Sequence, residues 1–483
     1  MQTTIAPYWR NFIGGQWVDA ANGGRIAVED PATGERIAEI ARGEAADVDR
    51  AVAEARRCVD SGALSAMRPS ARGHLVQEVG RRLRARIDEI APILTLESGK
   101  NLTQARTEIE GSAAYFEYYG GLAAGIEGRY IPLGDGYVDY VVPTPFGVSA
   151  QIVPWNFPLE MAARSIAPAL AAGNAAVVKS PELDPLAVAL LGEICAEVGL
   201  PDGAVNVVCG YGHDAGAALT AHPGVDQIVF TGSVETGRKI LHAAAERIVP
   251  AVVELGGKSA GIVFPDADLD AVTESAKWGI YFNSGQVCSA MSRLLVHRSV
   301  KDEVVERIAA MTEGLSMGPG LDENFITPLI SAEQLDRVEG YALSGAQQGA
   351  RAVTGGRRAP GRAGHFMQPT VFTEVTPEMR IAAEEIFGPV LSIIAYDDEE
   401  QALAIANGTP FGLAAGLFTA DLDRAHRVAH RLEAGQVFVN EWYAGGIETP
   451  FGGFKTSGIG REKGQEALGN YYQSKNIGIR RLN

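Results

Sequence analysis

The sequence predicts an α/β protein with a doubly wound parallel-sheet domain, a second α/β domain and a small β arm. From about residue 146, short segments rich in β-branched residues alternate with longer segments of helical periodicity. A second alternating stretch begins near Gly256, and the final segment NYYQSKNIGIRRL has the composition of a strand. Strands and helices that alternate at this spacing form parallel βαβ units.

Composition and charge limit the classes of protein to which the chain can belong. The chain has 483 residues, of which 46% are hydrophobic and 21% charged, and this suits a globular protein of two or three domains. The formal net charge of −17 opposes binding to nucleic acid or to an anionic membrane. We expect neither a secretory signal nor a membrane span, because no segment has the required apolar run. The four cysteines are irregularly spaced and form no CxxC pair, so we expect neither a disulfide framework nor a metal site. Free cysteines suit a reducing compartment, and the sequence therefore predicts a cytoplasmic location.

The elements follow in order along the chain. Apolar residues recur at helical spacing over residues 47–58, 69–96 and 102–119, which predicts three helices. Residues 138–153 are rich in β-branched and aromatic residues, which predicts strands. Strands and helices are then predicted in alternation for these segments: GVSAQIVP, FPLEMAARSIAPAL, NAAVVKSP, DPLAVALLGEICAEVG, VNVVCG, HDAGAALTAH, DQIVFTGS, ETGRKILHAAAE and PAVVEL.

The second α/β stretch has four clear strand candidates, SAGIVF, RLLVH, LSIIAY and AAGLFT. Two lobes are therefore expected, with a cleft between them near residues 254–290. Ligands of parallel sheets bind at the carboxyl ends of the strands, so the side chains that follow those strands are candidates for a site. The C-terminal strand is of the kind that pairs with another subunit.

Three side chains near these strand ends could carry chemistry. Cys288 lies among small and polar residues in FNSGQVCSAMSR, and a cysteine thiolate can add to an aldehyde carbon; the alternative is a buried structural cysteine. Glu254 ends an apolar strand, where a partly desolvated carboxyl can act as a general base or form an ordinary salt bridge. Asn156 in VPWNFP can donate to an oxyanion or cap a helix.

Three strand-to-helix turns could bind a nucleotide. A phosphate can approach the backbone at Gly232 and Ser233 in FTGSVETG. Gly212 lies in a similar turn, although GYGHDAG departs from the usual dinucleotide fingerprint. Lys179 and Glu182 in VVKSPE could hydrogen-bond ribose hydroxyls, and a carboxylate there favours NAD over NADP. For each turn the alternative is a plain connection.

Seven motifs occur together, and in this order they resemble the aldehyde dehydrogenase superfamily: PWNFP, KSPE, FTGS, ELGGKS, GQVC, EEIFGP and PFGGFKTSGIGREKG. The resemblance runs from about residue 10 to the C-terminus and points to the hydrolytic, NAD(P)-dependent type. It implies that Cys288 is the nucleophile and that Glu254 activates water for deacylation. It also implies that Asn156, with the backbone N–H of Cys288, forms the oxyanion hole.

The resemblance implies NAD as cofactor, with NADP as the less favoured alternative. The positions that match cofactor contacts are Ile152, Trp155, Lys179, Glu182, Gly212, Gly232, Ser233, Leu255, Glu385 and Phe387. The positions that match the substrate tunnel are Phe157, Met161, Arg164, Trp278, Phe282, the loop Trp442 to Thr449, and Phe451. Most of the tunnel residues are aromatic or apolar, which suits an aliphatic or aromatic aldehyde.

Two positions depart from well-known members of the family. Arg164 stands where tryptophan is frequent, and two interpretations stay open: it holds the carboxylate of a semialdehyde-type substrate, or it forms an i,i+4 pair with Glu160. Ser165 stands where a lysine often relays protons with a glutamate that matches Glu462. The proton relay of this chain must therefore run differently or through water.

The resemblance also implies a division into domains. Residues 1–124 and 147–255 would form the NAD-binding domain, residues 256–456 the catalytic domain, and residues 125–146 and 457–483 the oligomerisation segments of a homodimer or homotetramer. Two other functions stay open. A CoA-acylating semialdehyde dehydrogenase is opposed by the glutamate at position 254, which such relatives generally lack. A catalytically silent structural homologue would be expected to have lost the nucleophile or the base, and both are present.

Overall fold

The computed structural model describes residues 5–482. The α-helices in this part of the chain are α1 Ala45–Asp60, α2 Pro69–Ala85, α3 Ile87–Ser98, α4 Leu102–Leu122, α5 Pro158–Ala172, α6 Leu186–Glu197, α7 Ala217–Ala221, α8 Val234–Arg247, α9 Leu269–Tyr281, α10 Lys301–Glu313, α11 Ala332–Gln347, α12 Arg380–Ala383, α13 Glu399–Asn407 and α14 Leu422–Arg431.

The strands form several sheets. They are β1 Tyr8–Trp9, β2 Asn11–Ile13, β3 Gln16–Val18, β4 Arg25–Asp30, β5 Glu35–Ala41, β6 Arg129–Ile131, β7 Tyr137–Pro145, β8 Val148–Ile152, β9 Ala175–Ser180, β10 Val205–Cys209, β11 Gln227–Thr231, β12 Ala251–Glu254, β13 Ala260–Val263, β14 Arg293–His297, β15 Arg351–Thr354, β16 Thr370–Thr373, β17 Val390–Tyr396, β18 Phe411–Gly412, β19 Ala414–Phe418, β20 Gln436–Val439, β21 Phe454–Lys455, β22 Gly458–Ile459 and β23 Tyr472–Arg480.

The largest sheet has the strand order β22-β12-β11-β8-β9-β10-β2-β3. Its five central strands, β12 to β10 in that order, are parallel. The chain begins this parallel core at β8, adds β9 and β10 on one side, and then adds β11 and β12 on the other. The carboxyl ends of β8 and β11 therefore meet at the topological switch point, where doubly wound sheets bind their ligands.

The second large sheet has the order β15-β16-β17-β14-β13-β19-β20. All neighbouring pairs are parallel except β15 and β16. Strands β9 and β10 of the first sheet and β13 and β19 of the second are buried along their whole length. Burial on both faces explains why these segments are almost continuously apolar in the sequence. The predicted α/β fold class with two parallel sheets is confirmed.

A three-stranded antiparallel sheet, β23-β7-β6, forms the predicted β arm. Strand β23 pairs with β7 over nine residues, from Tyr472 opposite Pro145 to Arg480 opposite Tyr137. Tyr130 and Ile479 are large apolar side chains of this sheet that remain exposed. Within the segment 457–483, β22 joins the large sheet beside β12 before the chain reaches the arm.

Two predicted helices differ from the structure. The helix expected over residues 69–96 is divided into α2 and α3 at Arg86, whose φ of −104° and ψ of 14° are not helical. A break of one residue hardly alters the spacing of the apolar positions, so periodicity could not detect it. The helix expected in HDAGAALTAH begins as a wide turn of π type over residues 212–216 and continues as the short α7. Glycines at both ends of that turn disfavour a regular α-helix.

No helix within residues 5–482 is long and apolar enough to cross a membrane. In the same residues, His, Cys, Asp and Glu side chains form no group of three or more that could hold a metal ion.

Candidate active site

The site begins at the switch point of the large sheet. Trp155 and Asn156 follow β8, and Gly232 and Ser233 follow β11, so the two segments leave adjacent strands at the same edge. The next strand along this edge, β12, ends on Glu254. Parallel pairing therefore brings together residues that are almost 100 positions apart in the sequence.

The segment that carries Cys288 has an unusual backbone. Asn283, Ser284 and Gly285 have φ values of 48°, 52° and 77°, which is the left-handed region. The Ser284 hydroxyl stabilises this conformation by donating to the Thr327 carbonyl at 2.7 Å and accepting from the Thr327 N–H at 3.0 Å. A strained backbone of this kind persists only where its surroundings fix it, and it concentrates at functional sites.

Most of the predicted site residues line one cavity of about 500 Å³. The predicted residues that line it are Trp155, Asn156, Phe157, Met161, Arg164, Gly232, Ser233, Glu254, Leu255, Phe282, Cys288, Glu385, Phe387 and Phe451. Four predicted cofactor residues, Ile152, Lys179, Glu182 and Gly212, do not line the cavity; they lie at or just after the carboxyl ends of β8, β9 and β10. Trp278 lines a neighbouring cavity, which meets the first one at Phe282.

Both the side-chain amide and the backbone carbonyl of Asn156 form hydrogen bonds. Its side-chain amide donates to the Gln286 carbonyl at 2.9 Å, two residues before the cysteine. Its backbone carbonyl accepts from the Lys100 ammonium at 3.0 Å and from the Asn283 amide at 2.9 Å. An amide group has two N–H donors, so one of them is left for a bound molecule. Asn156 does not take the alternative role of a helix cap. The residue that precedes α5 is Phe157, and its side chain makes no capping hydrogen bond.

Glu254 is a buried carboxyl, 2% exposed, at the wall of the cavity. Neither of its oxygens has a hydrogen-bond partner within residues 5–482. Burial raises the pKa of Glu254 well above its usual value; the Glu462 carboxylate adds to the rise, and Arg164 opposes it. A β-carbon at Gly452 would lie only 2.8 Å from Glu254 Oε1, so this glycine leaves room for the carboxyl group.

The Cys288 thiol experiences a similar environment. Burial raises its pKa to about 12, while the Arg164 guanidinium acts to lower it and the carboxylates of Glu385 and Glu254 raise it. At neutral pH the group is therefore a thiol. The Trp442 indole N–H donates to the Ser289 carbonyl at 3.2 Å and fixes the chain just beyond the nucleophile.

Glu385 and Phe387 also line the cavity. Glu385 Oε1 accepts from the Gly257 N–H at 3.1 Å, and burial raises the pKa of Glu385 to about 7. The ring of Phe387 packs edge-on against Trp155, with centroids 5.2 Å apart. Farther along the same edge of the sheet, at the end of β9, Lys179 pairs with the partly exposed Glu182.

Ser233 caps α8 by accepting a hydrogen bond from the Thr236 N–H at 3.2 Å. The first turn of α8 therefore begins at the cavity, and the free N–H groups of a helix start attract phosphate. The structure thus places Gly232 and Ser233 where a pyrophosphate could bind.

The contacts of Arg164 bear on the two interpretations that the sequence left open for this residue. The guanidinium forms a buried ion pair with Glu462 and lies 5.1 Å from the centroid of the Phe451 ring. The i,i+4 pair with Glu160, one of the two interpretations that the sequence left open, is not formed, because Arg164 pairs with Glu462 and no salt bridge joins Arg164 to Glu160. Ser165 bonds instead to Gln151 Oε1 at 2.9 Å, so it does not replace the missing lysine beside Glu462.

Several residues of the cavity were not predicted. Gln104, Thr107, Glu108 and Tyr115 reach it from α4, and Phe438 and Lys463 come from the C-terminal part of the chain. Helix α4 has the pattern of an ordinary amphipathic helix, and nothing in its sequence indicates that it borders a site. Lys463 lies inside the motif PFGGFKTSGIGREKG, so the sequence could have singled it out. Tyr443, Ala444 and Gly445 also line the cavity and belong to the predicted tunnel loop Trp442 to Thr449.

Comparisons with known proteins agree with this geometry. The model of the "Aldehyde dehydrogenase family" matches residues 17–477. The aldehyde dehydrogenase DhaS of Bacillus subtilis (strain 168) is 43% identical over 481 residues, 99% of this chain and 97% of its own. An aldehyde dehydrogenase from Bacillus cereus, solved as an NAD+ complex, is 38% identical with a TM-score of 0.96, covering 98% of this chain and 96% of its own.

A further solved structure is AldA of P. syringae, an indole-3-acetaldehyde dehydrogenase in complex with NAD+ and IAA. It is 38% identical with a TM-score of 0.96, covering 99% of this chain and 97% of its own. These matches confirm the predicted family and enzyme class. The chain therefore belongs to the aldehyde dehydrogenase family, whose members oxidise aldehydes.

Proposed function

We propose that the protein oxidises a neutral aldehyde to the carboxylic acid, with Cys288 as nucleophile, Glu254 as general base and NAD as hydride acceptor. One observation carries the proposal: a single cavity is lined at once by the Cys288 thiol, the Glu254 carboxyl and the Asn156 amide. A nucleophile, a base and an oxyanion donor around one space are the groups that acyl chemistry on a cysteine needs.

The residues around the cavity suit a dinucleotide. The start of α8 at Gly232 and Ser233 offers backbone N–H groups to a pyrophosphate. Lys179 and Glu182 offer a donor and an acceptor to ribose hydroxyls, and a carboxylate there disfavours the 2′-phosphate of NADP. Ile152, Gly212 and Leu255 would flank the bound molecule. The NAD+ complexes of the similar structures support this choice, and bound NAD supplies the acceptor for one hydride.

The first half-reaction forms an acyl-enzyme. The Cys288 sulfur adds to the aldehyde carbon, the thiol proton passes to water, and the product is the oxyanion of a thiohemiacetal. Asn156 Nδ2 and the Cys288 N–H donate to the oxygen on which charge develops. Loss of a hydride from the former aldehyde carbon then leaves a thioester on Cys288.

The second half-reaction is hydrolysis. Glu254 takes a proton from water, the water oxygen adds to the thioester carbon, and the C–S bond breaks. Cys288 recovers its proton and the carboxylic acid leaves. The sum is aldehyde, NAD+ and water giving acid, NADH and a proton. A buried carboxyl with a raised pKa is suited to this task, and its presence favours hydrolysis over transfer to CoA.

The walls of the cavity favour a neutral, aromatic or aliphatic aldehyde. Phe157 and Phe282 stack at 5.8 Å, and Phe451 and Met161 add further apolar surface. Arg164, the cation that the sequence suggested for a substrate carboxylate, is already neutralised by Glu462. We therefore favour a neutral substrate over a carboxylated semialdehyde. Trp278 would contact only the distal end of a long substrate, in the neighbouring cavity.

The β arm is the proposed association surface of a homodimer or homotetramer. Tyr130, opposite Tyr140, and Ile479, opposite Val138, lie on the same face of this sheet, and both remain exposed. Exposed apolar side chains on an edge sheet are typical of subunit contacts.

The test is NADH formation, followed by absorbance, with NAD or NADP and a panel of short aliphatic, aromatic, amino-substituted and carboxylated aldehydes. Wild type should turn over the neutral members with NAD and without CoA, and Cys288→Ala should be inactive. Activity that needs CoA would point to the acylating alternative. Inactivity of the wild type under every condition would point to a silent homologue.

A further inference from the structure

A buried ion pair lies directly behind the proposed oxyanion hole. Lys100, 1% exposed, lies between α3 and α4, and its ammonium pairs with Glu108, which is 2% exposed. The same ammonium donates to the backbone carbonyl of Asn156 at 3.0 Å. Burying such a pair costs desolvation free energy, so its presence at this position calls for a role beyond stability.

Glu108 fixes the helix that follows Asn156. One of its oxygens accepts from the N–H of Leu159 at 2.9 Å and from that of Glu160 at 3.3 Å. These N–H groups belong to the first turn of α5, which has no cap from its own preceding residue. The pair therefore holds α5 through Glu108 and Asn156 through Lys100.

The position of the Asn156 side chain follows from its backbone. The carbonyl accepts a second hydrogen bond, from Asn283 of the cysteine segment, and the side-chain amide donates to Gln286 of the same segment. The Lys100 ammonium also lies 4.6 Å from the centroid of the Phe157 ring, the next residue along the chain. The Lys100 contact thus ties this peptide to the segment between α3 and α4.

We propose that Lys100 is a positioning residue of the reaction: held by Glu108, it orients Asn156 so that the amide donates to the oxyanion on Cys288. The proposal rests on the proposed role of Asn156 as oxyanion donor. Lys100 acts through Asn156 and does not touch the reacting atoms. A misplacement of about 1 Å in such a donor can lower a rate about 100-fold.

The informative variant is Lys100→Met/Glu108→Gln. It removes the ammonium together with the carboxylate that it pairs with, and the glutamine oxygen can still accept from α5. A control is Arg72→Met, because Arg72 is another buried cation that donates to a carbonyl of α5, that of Ala171, at the opposite end of the helix. If that helix merely needs to be anchored, both changes will affect the reaction alike.

The experiment is a double-mutant cycle with Asn156→Ala, read as the burst rate of NADH formation with NAD and propanal. We expect the Lys100/Glu108 variant to lower the burst rate at least tenfold in the wild-type background and less than about twofold in the Asn156→Ala background. We expect NAD affinity to be unchanged, and Arg72→Met to lower the unfolding temperature without changing the burst rate.

The outcomes separate the two proposals. Equal losses in both backgrounds, or no loss in the first, would overturn the role of Lys100 while leaving that of Asn156 intact. An Asn156→Ala variant with a wild-type burst rate would overturn the proposed oxyanion hole and the positioning role with it. If the double variant does not fold, Lys100→Arg, which keeps the charge and moves the donor, replaces it in the same cycle.

Discussion

The buried pair of Arg164 and Glu462 offers a prediction that can be worked from the structure. Both side chains are at most 5% exposed, so Arg164→Met leaves a carboxyl group buried without its cation. Breaking such a pair costs about 3–5 kcal/mol. Because burial raises the pKa of Glu462, this group can take up a proton, and we expect the lower limit, about 3 kcal/mol. For a domain of roughly 200 residues this corresponds to a fall in Tm of roughly 6–12 °C.

The same variant separates the two roles of Arg164 in substrate binding. The assay compares kcat/KM for butanal with that for the semialdehyde of succinic acid, in wild type and in Arg164→Met. Since Glu462 occupies the guanidinium, we expect both values to fall by similar factors, with a ratio that changes less than about threefold. Loss of a direct contact to a substrate carboxylate would cost at least about 2 kcal/mol, or roughly 30-fold, for the carboxylated aldehyde alone.

A neutral double variant completes the series. Arg164→Met/Glu462→Leu removes both charges and should recover most of the lost Tm, because apolar replacements of a buried pair are often neutral or stabilising. A Tm for Arg164→Met equal to that of wild type, or a selective loss of the carboxylated substrate, would refute the reasoning.

Three further predictions concern the thiol, the cofactor and the arm. Because burial raises the pKa of Cys288, the thiolate fraction of the free enzyme should grow with pH, and alkylation by iodoacetamide should accelerate steadily from pH 6 to 9; a rate already constant below pH 7 would contradict this. Glu182→Ser should lower KM for NADP at least tenfold with little gain for NAD, as measured by steady-state kinetics; an unchanged preference would exclude this carboxylate as the determinant. Charges on the exposed face of the arm, in Tyr130→Glu/Ile479→Glu, should yield smaller species in light scattering, and an unaltered mass would place the interface elsewhere.

The order of strands and helices could be predicted because it depends on local patterns. Alternating segments predicted the two parallel sheets, and the strand ends predicted the edge at which Asn156, Ser233 and Glu254 meet. The local sequence made Cys288 a candidate nucleophile with a structural alternative, and the family motifs then favoured the role of nucleophile. The cytoplasmic location and the domain boundaries stay predictions.

Contacts between distant segments could not be predicted. One of the two interpretations of Arg164 was a pair with Glu160, one helical turn away, but the folded chain places Glu462 of the C-terminal segment against the guanidinium instead. The break at Arg86 and the contribution of α4 to the cavity also depend on tertiary packing. The spacing of residues in the sequence predicts which side chains are neighbours on one helix. It does not predict whether a residue from a distant segment will replace one of these neighbours as the partner.

The most direct test of the mechanism is to stop the reaction at the acyl-enzyme. Glu254→Gln keeps the size of the side chain and removes the base, so it should block hydrolysis while leaving the first half-reaction intact. With NAD and propanal, we expect a burst of about one NADH per active site, little turnover afterwards, and a propionyl group on the Cys288 peptide in mass spectrometry. Steady turnover at the wild-type rate without an acyl group on Cys288 would contradict the account.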